Sequence, residues 1–207
     1  MSNRKIVALK FAVFPACLVP LGLLVFHGIN NTLGPDPVAT ITHTTGFWTL
    51  YFLLISLAIT PVRRLSPHLA WLIRFRRMTG LYAFFYACLH LFTWIWLFSN
   101  FDAKAMLHDI GKRPFITMGM LGWALMLPLA ATSTAWSIRK LGGKRWTRLH
   151  RLAYGAAIAG VIHYWWIVKS GVRTPWKVTA VLAVLLLARV LWEARAAMRK
   201  RRIAVPA

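Results

Sequence analysis

The chain has 207 residues, 58% of them hydrophobic and 14% charged, with a mean hydropathy of +0.57, a composition that excludes an ordinary soluble domain. Its formal net charge of +22, from 26 basic and 4 acidic residues, would suggest nucleic acid in a soluble protein. Here the basic residues alternate between loops, as the positive-inside rule requires of a membrane protein, and that argues against nucleic-acid binding.

In chain order, the basic start MSNRKIVALK leads into an apolar run that predicts a first spanning helix over residues 8–27, kinked at Pro15 and Pro20. A signal peptide is a poorer reading, because the run is long and no A-x-A site follows. Residues 28–46 are rich in turn formers and carry no Lys or Arg; Asp36 between two prolines predicts a rigid extended turn. A short second span is expected over 47–62, stopping at Thr60-Pro61. A basic loop with Arg63, Arg64, Arg74, Arg76 and Arg77 follows, then a third span over 78–98 containing His90. The next loop nearly balances its charges, and Pro114 suits the first turn of a fourth span over 114–135. The basic stretch IRKLGGKRWTR precedes a fifth span over 149–168. A connection from Lys169 to Trp176 then leads to a sixth over 177–193 and a basic tail.

The basic residues split 20 to one side and 6 to the other when six spans are threaded with the N-terminus inside. That asymmetry predicts an all-α, six-helix transmembrane bundle of one domain, 1–207, with both termini cytoplasmic. Trp71, Trp136, Trp146 and Trp192 then fall near the inner face. Trp48, Trp94, Trp96, Trp165, Trp166 and Trp176 fall near the outer face, as interfacial belts do. Cys17 and Cys88 lie within apolar segments and read as small buried hydrophobes. With no CxxC or CxxCH, any heme is held by ligation and packing.

Ionisable groups inside spanning helices are costly and mark function, and imidazole pairs can hold a heme iron axially. His90 lies 13 residues beyond Arg77, and His163 lies 13 residues beyond His150. At about 1.5 Å per residue both sit roughly 20 Å from the inner end of a ~30 Å core. Two imidazoles at matching depth on different helices are what bis-histidine ligation needs. The bland alternative for each is a histidine bonded to a backbone carbonyl. Zinc fits less well, because no Cys, Asp or Glu is available at that depth. His150 points about 220° away from His163 on an undistorted helix. Flanked by Arg148 and Arg151, it reads as an interfacial residue, a second heme ligand, or a contact to an electron donor.

Taken together, GPDPV at 34–38, TP-x-RR at 60–64, RFRRMTGL at 74–81, ACLHL around His90, KRPFITMG at 112–119 and RKLGGKRWTRLHRLAY leading to His163 resemble one family. It is the MsrQ (YedZ) family of heme-binding membrane subunits of bacterial periplasmic methionine sulfoxide reductase systems, within the ferric reductase-like transmembrane group. The resemblance implies heme b, one or two per chain, and FMN. Larger members of the group stack two hemes, and where they carry a second histidine on the third helix this chain has Arg76. An inner heme would therefore have only His150 from this pattern. Arg63, Arg64, Arg74, Arg76 and Arg77, with the basic loop before His150, either only set topology or also form a field that attracts an anionic group such as a flavin phosphate, with Arg76, Arg77, Arg148 and Arg151 as the candidate cofactor-binding residues.

The resemblance implies a multi-pass protein of the bacterial inner membrane that moves electrons. The donor would be quinol or a cytoplasmic flavin reductase, and the acceptor a periplasmic molybdopterin methionine sulfoxide reductase subunit. No GxGxxG motif is present for a nicotinamide or flavin domain, so reducing equivalents are expected from outside the chain. No residue pair suits methionine sulfoxide reduction itself. The redox alternative is a ferric or cupric metalloreductase. The non-redox alternative is a transporter or scaffold, for which internal repeats and charged midplane residues are missing.

Overall fold

The computed structural model describes residues 2–168 and 174–204, and every regular element among them is helical. The expected first span is two helices, α1 (Asn3–Ala16) and α2 (Val19–Ile29). Pro20 has no N–H to offer the carbonyl of Ala16, so the ladder opens there. The exposed backbone groups find a partner in Tyr86, whose hydroxyl donates to the Cys17 carbonyl at 2.9 Å and accepts from the Leu21 N–H at 3.3 Å. Tyr82 donates likewise to the Phe14 carbonyl at 2.8 Å. The break is thus held by α4 (Ile73–Thr93), on which both tyrosines lie.

The second span is much longer than expected. Helix α3 (Pro37–Leu65) starts well inside the stretch read as a loop, and it continues through Pro61. Asp36 is a helix cap instead of a rigid turn: its side chain accepts from the Ala39 N–H at 2.9 Å, with Pro37 at the first helical position. The threonines that made this stretch look irregular bond back into the helix, Thr42 to the Val38 carbonyl and Thr45 to that of Ile41. The basic loop is shorter in turn. A 3₁₀ turn (Pro67–Leu72) leads into α4, so Arg74, Arg76 and Arg77 lie on its first turns.

Helix α4 ends in one π turn (Trp94–Phe98), and the expected outer loop contains a helix, α5 (Ala103–Lys112), capped by Asp102. Helix α6 (Pro114–Ala131) ends sooner than predicted. The basic stretch after it folds as two short helices, α7 (Ala135–Leu141) and α8 (Gly143–Leu149). Helix α9 (Leu152–Ile167) and helix α10 (Thr174–Ala204) complete the chain, and residues Lys169 to Arg173 of the expected connection lie outside the described residues.

Helix α3 is central: it packs along α4 and also meets α9 and α10, while α6 packs along α9. Leu50, Phe52, Leu53, Leu57, Tyr86 and Ala157 are buried at this centre. The α6–α9 seam is close because it is built from small residues. A Cβ at Gly122 would already lie 3.7 Å from the Ala156 carbonyl oxygen and from Ala159. Among the described residues four helical stretches, Asn3–Ile29, Pro37–Leu65, Pro67–Phe98 and Pro114–Ala131, are long and apolar enough to cross a membrane.

Candidate functional site

The spacing between α3, α4, α6 and α9 leaves a cavity of about 600 Å³, within the range of cofactor pockets. His90 from α4 and His163 from α9 face each other across it, with ring centroids 5.9 Å apart and planes at 78°. Each ring is fixed by a backbone carbonyl. His90 Nδ1 lies 3.0 Å from the Thr42 oxygen, with Thr45 Oγ1 at 3.4 Å, and His163 Nδ1 lies 2.6 Å from the Phe115 oxygen. A carbonyl only accepts, so both Nδ1 atoms are protonated and both Nε2 atoms keep a lone pair. The carbonyl contact expected of a merely structural histidine is present, but it occupies only half of each imidazole.

The other half decides the chemistry. His163 Nε2 is buried and meets no hydrogen-bond partner, an arrangement that costs free energy unless something binds there. A histidine whose far nitrogen donates to a carbonyl is the usual second-shell arrangement of a metal ligand. The separation suits a single atom between the rings, because two metal–imidazole bonds of about 2.0–2.1 Å plus the distances to the ring centres come close to it. Among the described residues no cluster of three or more His, Cys, Asp or Glu is placed to hold a metal ion. A bare ion is therefore under-coordinated here, and a macrocycle that brings its own equatorial nitrogens fits the donor set.

Two glycines make the close approach possible. A Cβ at Gly46 of α3 would lie 3.1 Å from His90 Cε1, and one at Gly119 of α6 would lie 2.9 Å from His163 Cε1. Each imidazole thus rests on bare backbone. The remaining walls are mostly apolar, including Leu50, Phe47, Met120 and Trp123, while Asp109 and Arg113, paired at 3.1 Å, line the cavity as well. Sequence reasoning missed Gly46, Gly119, Trp123 and the two carbonyls. The only signal was that Phe115 and Gly119 both fall within the KRPFITMG fragment.

The other candidates are placed differently. His150 is not on α9: it caps α8, and the chain turns before α9 begins, so the helical offset from His163 does not apply. Its ring stacks on Trp146 at 3.8 Å, its Nδ1 lies 3.1 Å from the Trp146 oxygen, and the Leu129 backbone is the second hydrogen-bonding group beside the buried ring. Burial pushes its pKa down, and the positive charge of Arg76 acts in the same direction. Arg77, Arg148 and Arg151 are exposed. His27 bonds Thr32 at 2.8 Å on the exposed surface, away from the cavity.

Fold and site together define a helical membrane protein with a histidine-lined interior, and residues 45–161 match the family described as ferric reductase like transmembrane component. The chain is 49% identical over 193 residues to the protein-methionine-sulfoxide reductase heme-binding subunit MsrQ of Herminiimonas arsenicoxydans, covering 92% of this chain and 88% of the relative. It is 47% identical over 193 residues to the protein of that name from Ralstonia nicotianae (92% and 88%) and 44% identical over 203 residues to that of Bordetella pertussis (96% and 98%). The chain belongs to the ferric reductase-like transmembrane family and, within it, to the MsrQ subunits.

Proposed function

We propose that this chain is the membrane electron-transfer subunit of a protein-methionine-sulfoxide reductase system, holding heme b between His90 and His163. The observation that carries the reading is the facing pair, each Nδ1 committed to a backbone carbonyl and each Nε2 left with a lone pair. Bound there, heme b supplies a centre that gains and loses one electron reversibly. The chain's part would be to hold it through the Nε2 atoms of His90 and His163, to fix both ring planes through Thr42 and Phe115, and to keep water out with apolar walls. The similarity to subunits named heme-binding and MsrQ supports the same assignment.

In this reading six helices cross the bacterial inner membrane with both termini in the cytoplasm, and the 20-to-6 division of basic residues supports that orientation. The two crossings beyond the four long apolar stretches are assigned to α9, with 16 residues, and α10. Quinol or a cytoplasmic flavin reductase donates on the inner side, where FMN would also bind. A periplasmic molybdopterin catalytic subunit accepts electrons and performs the sulfoxide reduction. Arg76, Arg77, Arg148 and Arg151 lie on the donor side of this arrangement.

The test is spectroscopic. His90→Ala and His163→Ala each remove most of the low-spin heme absorbance, whereas His27→Ala and His68→Ala leave it intact. Full heme retention in either of the first two would end the pairing. A second reading, reduction of ferric or cupric ions at the outer surface, draws on the family description. It predicts that the reduced protein is reoxidised by those ions at turnover rates without any partner.

A further inference from the structure

The cavity between His90 and His163 has two unlike ends. Helices α3 and α4 are joined by a short turn and pack along each other, and α5 then carries the chain into α6 from the end where α4 finishes. The N-termini of α3 and α6 therefore lie at that same end. Gly46 under His90 and Gly119 under His163 mark the height of the two imidazoles. On the N-terminal side of that height the cavity is lined by His43, Asp109 and Arg113, and on the other side by Leu50, Leu53 and Met126. Thr42 and Thr49 line it too, but their hydroxyls are committed to the Val38 and Thr45 carbonyls.

The charged end is built by the chain reversal after α4. A π turn (Trp94–Phe98) is followed by Asn100 and Phe101 at φ of 44° and 61°, a conformation that a bulky side chain adopts only under constraint. The reversal leads into α5, whose last turn carries Asp109 and which packs on α6. Asp109 Oδ1 meets Nε of Arg113 at 3.1 Å and so steadies the guanidinium, while its two terminal nitrogens make no hydrogen bond among the described residues. His43 stacks on Phe47 with ring centres 6.1 Å apart and reaches the same mouth. In the orientation proposed above Arg113 lies on the outer side, where the positive-inside rule asks for no arginine, so topology does not account for it.

Heme b is two-ended in the same way: propionate carboxylates leave one edge, and the opposite edge is hydrocarbon. An unpaired carboxylate pressed against Leu50, Leu53 and Met126 would be heavily penalised, whereas a guanidinium fork binds one in charge-assisted pairs. We propose that Arg113, steadied by Asp109, and His43 receive the propionate carboxylates of the heme and so set which edge of the macrocycle points to the end of the cavity where α4 finishes. Arg113 and His43 are positioning residues for the cofactor, and their assignment rests on the His90–His163 ligation proposed above.

The experiment titrates the full-length apoprotein in mild detergent with heme b and, separately, with its dimethyl ester, in which both carboxylates are capped. Binding is read from the low-spin absorbance. Arg113→Gln weakens heme binding about tenfold or more and leaves the ester's affinity unchanged, so the preference for heme over ester collapses by that factor. Arg113→Lys keeps the charge but not the fork and loses an intermediate amount. His43→Gln loses less than Arg113→Gln. Lys104→Gln removes an exposed charge from α5 outside the cavity and leaves the preference intact. An unchanged preference in Arg113→Gln would overturn the proposal. Equal loss of both ligands would overturn it as well, since Arg113 would then serve the fold and not the carboxylates. Low-spin spectra from both ligands with no preference in the wild-type protein would leave the ligation standing and remove this anchor. Failure of both ligands to give a low-spin spectrum would end the ligation and the anchor together.

Discussion

Gly119→Ala tests the candidate site without touching either histidine. The added methyl would lie 2.9 Å from Cε1 and 3.0 Å from Nδ1 of His163. Carbon contacts are comfortable at about 3.5–4.0 Å, so the ring must retreat by roughly 0.5–1 Å. That motion is opposed by the 2.6 Å bond from Nδ1 to the Phe115 carbonyl, so the bond stretches or the ring leaves its rotamer. Loss of such an outer-shell partner costs about 10–100-fold in metal affinity, or roughly 1.4–2.7 kcal/mol. Gly46→Ala faces a longer 3.1 Å contact with His90 and loses less. Heme titration of the apoprotein, with low-spin resonance spectra recorded alongside, reads both effects. A helical Gly→Ala change otherwise favours the fold by about 1 kcal/mol, so a thermal melt separates a ligation defect from unfolding. Unchanged heme affinity and spectra in Gly119→Ala would refute the placement of His163 against α6.

Three further outcomes follow from the same contacts. His150→Ala leaves the spectrum of the His90–His163 heme largely intact but slows its reduction from the donor side in stopped flow; an unchanged rate would make His150 a packing residue only. Tyr86→Phe strands the Cys17 carbonyl and the Leu21 N–H at the α1–α2 break and lowers stability by about 1–3 kcal/mol. A shift in melting temperature with unaltered heme content would show it. In oriented vesicles, a donor supplied on the cytoplasmic face reduces the heme and one confined to the outer face does not, with no methionine sulfoxide reduced by this chain alone; the reverse sidedness would overturn the orientation.

Class and composition were legible because membrane insertion is a local problem. Hydropathy over about 20 residues and the sign of the flanking loops are properties of contiguous sequence. They sufficed to anticipate an all-helical membrane protein and to mark His90 and His163 as unusual. The equal 13-residue counts from Arg77 and from His150 are a property of contiguous sequence, and the two rings lie 5.9 Å apart in the bundle. Helix boundaries fared worse where side chains supply what propensity lacks. Thr42 and Thr45 bond back into α3, Asp36 caps it, and none of this shows in the composition of residues 28–46.

What only the tertiary structure decided is which backbone lies against which side chain. That Gly46 sits under His90 and Gly119 under His163 requires α3 to meet α4 and α6 to meet α9 at one height. The gathering of His43, Asp109 and Arg113 at one end of the cavity follows from four helices converging, although in sequence they fall in stretches that read as separate loops. Charge and hydropathy are summed along the chain and survive its unfolding. Burial, tautomer and an unpartnered nitrogen exist only between elements distant in sequence, so the chain alone could name the histidines and only the packed bundle could say which nitrogen was left to bind.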